Sequence, residues 1–341
     1  KSTLDVKPGT TFSVAVEHET RDHLRDGWTF DKPVVIEEMG APVDMHVDVK
    51  KEGDHFLVSS TFKGLETDEE MDSKGRTLVA RTPSMGIVAY PPGNAPPDLL
   101  KGTSDLLALS TWITKEVRPP VSKVVYRVTA PDAKHFDVPE DDRQKVVKRD
   151  DKSIVVEVKA GDTHKVKLSA AEKKKLTSET PYEEVNDPRI KKAADEAAAG
   201  ATSKRDEVAK LTMYVFRHVT QKSLDRGYAP AVATLESQDG DCTEHSVLLS
   251  ALLRARGFPT RLADGVIVDG THAGYHEWVE VYLEGEGFVP ADPTFGQFPA
   301  GPERLKLAEG STSPDEHLTL SLAAARLLKP GVKIEVLDAT K

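Results

Sequence analysis

Residues 240–256 read Gly-Asp-Cys-Thr-Glu-His-Ser-Val-Leu-Leu-Ser-Ala-Leu-Leu-Arg-Ala-Arg, with Gly257-Phe258-Pro259 following. The apolar positions Val247, Leu248, Ala251, Leu252 and Ala255 have the spacing of one helix face. Gly257 and then Pro259 stop that helix, as a glycine just past the last turn and a proline beyond it do. Gly240-Asp241 is a turn signal in front of it. Cys242, the only cysteine of the chain, therefore stands at a helix N-terminus. Unpaired backbone N–H groups and the helix dipole at such a place favour a thiolate over a thiol.

Downstream, His276-Glu277-Trp278-Val279-Glu280-Val281-Tyr282-Leu283 alternates as a strand does. Glu284-Gly285-Glu286-Gly287 reads as a hairpin, and Gly287-Phe288-Val289-Pro290-Ala291 as its second strand, with Asp292 at the end. Two such strands set His276 and Asp292 side by side. Thiol, imidazole and carboxylate in this chain order are what nucleophilic thiol catalysis needs. The imidazole takes the thiol proton and the carboxylate holds the imidazole in the working tautomer.

Three motifs, Gly240 to Arg261, Tyr275 to Leu283 and Phe288 to Gln297, resemble the core of the transglutaminase-like superfamily, in particular its bacterial extracytoplasmic members. The resemblance spans residues 180–320 or so. It implies a papain-like fold with Cys242 as nucleophile, His276 as general base and acid, and Asp292 as the orienting carboxylate. It implies no cofactor and no metal. The activities it brings are cross-linking by acyl transfer to an amine, deamidation and peptide hydrolysis, and it does not choose among them. The implied substrate is a peptide or protein, cell-wall peptides among them, and the implied location is extracytoplasmic, periplasmic or secreted. A catalytically silent member using its β-rich region for binding or scaffolding is the alternative.

Other residues near these motifs have competing readings. His272 and His276 lie four apart, with Glu277 adjacent and His245 three past Cys242, a set zinc accepts. Gly270, Gly274 and the strand pattern argue against the shared helix face such a pair needs. Glu244 suits a first helical turn. His245 stands one turn from the cysteine. Trp278, two past the histidine, belongs to the same strand face and reads as core or cleft wall, with Tyr275 and Tyr228 similar cases. Asp264 reads as a polar turn or edge residue. The Cys242 N–H is the natural first oxyanion donor, and Gln238, four before it, is a side-chain candidate for the second by resemblance to the papain fold.

The 341 residues leave room for two domains, and 38% hydrophobic with 30% charged residues is ordinary for a folded chain. The formal net charge of −10 speaks against nucleic acid and against anionic membrane surfaces. No apolar run reaches the ~18 residues that membrane insertion by a helix requires. A single cysteine excludes an intramolecular disulfide. The chain opens on Lys1 rather than methionine, and a removed signal peptide fits that opening.

Residues 1–175 read as β-rich, sandwich-like or as two small β-modules. Period-two runs fall at Thr10–Glu17, Val34–Ile36, Met45–Val49, His55–Phe62, Lys123–Val128, Ile154–Val158 and Lys165–Leu168. Leu99 to Trp112 reads as a short helix. His23, His46, His55 and His135 are scattered without ligand spacing. Residues 176–341 read as the catalytic domain. Asn186-Asp187-Pro188 starts a helix over Arg189–Ala199, and Thr202 or Ser203 caps a second one. Gly301–Gly310 reads as loop or short helix, and His317–Leu322 and Val332–Leu337 as strands. The fold class expected is α+β, a papain-like transglutaminase core of helices and antiparallel sheet preceded by a β-rich region. Oligomeric state has no signature in the sequence.

Overall fold

The computed structural model describes residues 27–36, 41–62, 65–82, 87–90, 111–131, 133–161, 166–222, 228–313, 316–317, 320, 326–327 and 331–341. Contacts divide the chain into two compact units, 1–105 with 328–330, and 106–327 with 331–341. The first unit holds β1 (Trp28–Ile36), β2 (Ala41–Glu52), β3 (His55–Phe62), β4 (Leu65–Met71), β5 (Thr77–Thr82) and β6 (Ile87–Ala89). They form one six-stranded antiparallel meander in chain order. Val47, Val49, Phe56, Val58, Met71 and Val79 are its buried apolar side chains. Across β2 and β3 they alternate with more exposed neighbours, the period-two pattern of a sheet with one covered face.

The second unit begins with β7 (Thr111–Val117), β8 (Lys123–Thr129), β9 (Gln144–Arg149) and β10 (Ser153–Lys159). Helices α1 (Ala170–Lys175), α2 (Pro188–Ala198), α3 (Lys204–His218), α4 (Ala231–Ser237) and α5 (Cys242–Ala255) come next. Then come the long β11 (Thr260–Leu283), β12 (Gly287–Ala291), β13 (Arg304–Gly310) and β14 (Lys333–Thr340). One sheet runs β14-β8-β10-β9; the other runs β12-β11-β13, with β7 pairing the middle of β11. All these pairings are antiparallel.

Two apolar clusters hold this unit together. Helices α2 to α5 pack Ile190, Val208, Leu211, Leu248 and Leu252 against Val279 and Val281 of β11. Val124, Tyr126 and Val128 of β8 and Ile154 and Val156 of β10 pack with Val266 and Leu305. The strands before residue 175 thus share a core with the segment after it. The sequence pattern suggests a division at 175/176, whereas the contacts group residues 106–175 with the helices and strands beyond that point. The joining pairs, β14 with β8 and β7 with β11, lie far apart in sequence, so no local signal announces them.

Helices α2, α3 and α5 start where the sequence places them. Asp187 accepts from the Arg189 N–H at 2.8 Å with Pro188 at the first position of α2, and Ser203 accepts from the Asp206 N–H at 3.1 Å at the head of α3. At α5 a capping box forms: Asp241 accepts from Thr243 N–H at 2.8 Å, and Glu244 accepts from Asp241 N–H at 2.9 Å. Gly240 is required here. Its φ is +158°, and a Cβ would lie 2.3 Å from the Glu244 Cβ. Gly257, with φ +80°, ends the helix. Replacing Asp241 with alanine should lower stability by about 1 kcal/mol in urea unfolding; an unchanged midpoint would mean the cap contributes nothing.

α5 is buried on every side from Thr243 to Arg254, more than its apolar stripe announces. Two of its polar residues share one partner inside: Arg254 Nη1 meets Glu183 Oε2 at 2.8 Å with both side chains fully buried, and Ser250 donates to the other Glu183 oxygen.

Several local expectations change. Arg304–Gly310 is a strand, not loop or short helix. Residues 316, 317 and 320 are helical rather than extended. His317 and Leu320 are both buried three apart, which is helical spacing. Residues 166–168 form no ladder. Val166 and Leu168 instead line a groove of about 420 Å³ together with Arg261, Phe288 and Glu309. Trp112 is the second residue of β7, not the end of a helix; 99–110 and the expected strand at 10–17 lie outside the described residues.

Candidate active site

Cys242 is the first residue of α5 and is half-buried. The backbone N–H of Glu277, the residue after His276, lies near enough to the sulfur to favour its ionised form. One turn along α5, Ser246 Oγ donates to the Glu277 carbonyl at 3.1 Å. Helix and strand are therefore clamped at Glu277, which sets the nucleophile candidate against the histidine's own stretch of β11.

His276 is buried, and its Nε2 lies 2.7 Å from Asp292 Oδ2. The β11–β12 ladder ends at Val279 opposite Ala291. Just beyond it, the histidine and the aspartate meet diagonally across the hairpin. With Nε2 donating to a carboxylate, Nδ1 is left as the ring nitrogen that can take a proton.

Asp292 is fully buried and held from every side. Oδ1 accepts from the N–H groups of Thr294 at 2.9 Å and Phe295 at 3.3 Å. Oδ2 accepts from Arg304 Nε at 2.7 Å. Burial raises its pKa, but His276 and Arg304 outweigh that and hold the carboxyl far below the usual range. Arg304, 4% exposed, also donates from Nη2 to Gln297 Oε1 at 2.7 Å. The sequence reading had no role for Arg304. The signal available was Arg304-Leu305-Lys306-Leu307, an alternation whose charged positions are inside: Lys306 meets Glu280 Oε1 at 3.0 Å, also buried.

Aromatic rings wall the imidazole. Trp278 is near-parallel to it at 6.2 Å between centroids, so the two residues share a face as their spacing predicts. Phe295 approaches it edge-on at 5.5 Å, and the Arg304 guanidinium lies 5.8 Å from the Phe295 centroid.

The thiol differs from expectation. The helix N-terminus favours a thiolate, yet burial pushes the Cys242 thiol well up, and the Asp241 and Glu277 carboxyls push the same way. The first turn carries more than a dipole partner: Glu244 is fully buried, accepts from Ala229 N–H at 2.9 Å, and is raised to about 7 by burial and by Asp241. His245 is spent along the helix, its Nδ1 2.5 Å from the Asp241 carbonyl, and burial lowers its pKa. Asp264, read as a turn residue, is 1% exposed inside β11. His272 is exposed while His276 is buried, so they do not converge as a metal pair would; no cluster of three or more metal-ligand side chains occurs among the described residues. Gln238 is exposed and ends α4 in the left-handed conformation, φ 56°.

A family model of the transglutaminase-like superfamily matches residues 191–293. No match is found among curated proteins. Among solved structures, a candidate cysteine protease from Cytophaga hutchinsonii aligns at TM-score 0.39 and 14% identity, over 68% of this chain and 85% of that one. The periplasmic domain of TgpA from Pseudomonas aeruginosa aligns at 0.39 and 17%, over 55% and 73%. Red sea bream transglutaminase aligns at 0.30 and 13%, over 56% and 49%. Residues 191–293, which hold α5 and the His276 strand and end just past Asp292, are a domain of the transglutaminase-like superfamily.

Proposed function

We propose that the protein is a cysteine-dependent enzyme acting on peptide or protein amides through a thioester. The observation that carries this reading is the His276–Asp292–Arg304 array, buried and charge-paired, beside a strand whose next backbone amide faces the Cys242 sulfur. In the proposed course the thiol proton passes to His276 Nδ1 as sulfur attacks the carbonyl carbon. The new S–C bond forms, the C–N bond breaks, and His276 hands the proton to the departing nitrogen. His276 then takes a proton from water or an amine that attacks the thioester and returns it to sulfur. Asp292 stays ionised and steadies the imidazolium. A thiol that is protonated at rest fits this order, since ionisation is then coupled to attack.

The family includes enzymes of both kinds, and what the site does with the acyl group is part of the proposal. Incubation with peptides carrying glutamine and lysine, followed by mass spectrometry, tests it. Loss of ammonia with new links identifies a transferase, replacement of amide by acid a deamidase, and shortened peptides a protease; an unchanged pool across glutamine-, lysine- and cell-wall-type peptides would favour the silent scaffold. An extracytoplasmic location is part of the same proposal; among the described residues no helix is long and apolar enough to cross a membrane.

A further inference from the structure

Beside the nucleophile lies a second titratable group of residues that the reaction above does not use. Asp264 and Glu277, both on β11, are 1% and 0% exposed, and their carboxyls are in hydrogen-bonding contact. Tyr228 donates its hydroxyl to Glu277 Oε2 at 2.5 Å, and Tyr275 reaches Asp264. One oxygen of each carboxyl, Asp264 Oδ1 and Glu277 Oε1, is buried without a donor.

Two adjoining buried carboxylates with one undonated oxygen apiece are a poor arrangement if both are ionised. Their charges repel, and each unmet acceptor carries a desolvation cost. A single proton between them resolves both problems: one carboxyl becomes the donor its neighbour lacks, and one charge disappears. Among the described residues, the groups acting on the pair most strongly are Tyr228, Tyr275 and Asp241, from the 228 segment, β11 and the head of α5, and none of them is a cation. Burial first, and then the mutual repulsion, keeps Glu277 far above the carboxylate range, while Asp264 is raised to about 7.

This pair lies near enough to the sulfur to act on it. Glu277 supplies the backbone N–H that faces Cys242, and the carboxyls of both Glu277 and Asp264 act on the thiol. We propose that Asp264 and Glu277 are positioning residues for the nucleophile: they share one proton, and that proton fixes how much negative charge the Cys242 sulfur faces. With the proton in place one negative charge opposes the thiolate; without it two would. The arrangement holds Cys242 as a thiol until a bound acyl group and His276 draw its proton, which spares the lone sulfur from indiscriminate reaction.

The proposal rests on Cys242 being the nucleophile, but its test reads the pair and the thiol directly. The infrared carbonyl stretch of a protonated carboxylic acid should be present in the native protein at about pH 8, roughly four units above an ordinary carboxyl. It should vanish in Glu277→Gln, which removes the carboxyl that burial holds protonated. Alkylation of Cys242 by iodoacetamide, followed by mass, should stay within about threefold of native in Glu277→Gln, because the Asp264 carboxylate remains. The double variant Asp264→Asn/Glu277→Gln, with no charge left, should react on the order of tenfold faster, the equivalent of about one pKa unit. Absence of the band in the native protein, or a folded double variant alkylated at the native rate, overturns the proposal. Should the double variant fail to fold, the band in the native and Glu277→Gln proteins decides. A Cys242→Ala protein with native turnover would sink the nucleophile assignment and leave the band unmoved, so the two failures are distinguishable.

Discussion

Cys242→Ala is expected to lose at least about 10⁴-fold in turnover, because no other side chain can form the thioester and the remaining binding and oxyanion groups give only residual catalysis. Folding should hardly change. The sulfur is half-buried at the first position of α5, and alanine suits that position as well as cysteine does. The stability difference should stay within about 1 kcal/mol in urea unfolding. Peptide-product assays and an unfolding curve on the same preparation check both halves. A variant that folds and still turns over at the native rate would remove Cys242 from the chemistry.

The second large effect is at Arg304. Arg304→Met leaves a methionine of similar reach but strips the buried Asp292 of its cation, with only His276 and two backbone N–H groups remaining. Breaking a buried pair from one side costs about 3–5 kcal/mol. The pH dependence should move too, and its sign comes from Asp292. A depressed carboxyl contributes stability that is present above its unfolded value, about 3.9, and is lost as pH falls through the folded value. Removing Arg304 brings the folded value back up, so acid unfolding should set in at a higher pH than in the native protein. Arg304→Lys should recover part of the stability, since it restores charge without the two-pronged contact. Equal acid-unfolding midpoints for native and Arg304→Met would show that the guanidinium does not hold Asp292 ionised.

The proposed trio is legible because each member rides on a local signal. Cys242 stands at a capped helix start, His276 opens an alternating strand, and Asp292 closes a hairpin that chain proximity sets beside it. Arg304 is not legible, because its strand conceals charged residues where an alternating pattern suggests solvent; only the pairing with Asp292 and Gln297 explains its burial. Asp264 escapes for the same reason. The ionisation of Cys242 has the opposite sign to the one its helix position suggests, because the helix dipole is a local property, while Glu277 and Asp264, which oppose it, are delivered by folding. The extent of the second unit is out of reach for a related reason. The pairings that join β8 to β14 and β7 to β11 link residues more than 150 positions apart, and short-range periodicity carries no information about partners.

The sheet order β14-β8-β10-β9 has one more implication. β10 and β14 both run antiparallel to β8 and flank it, so they are parallel to each other, and everything between Lys159 and Lys333 is a single connection between them. The enzyme-like segment is thus a guest tied at both ends to a small host sheet. The entropy of closing such a loop grows only with the logarithm of its length, about 0.6 kcal/mol for each doubling. The connecting loops within the guest can therefore change length at little entropic cost while the anchoring strands and the shared core stay as they are.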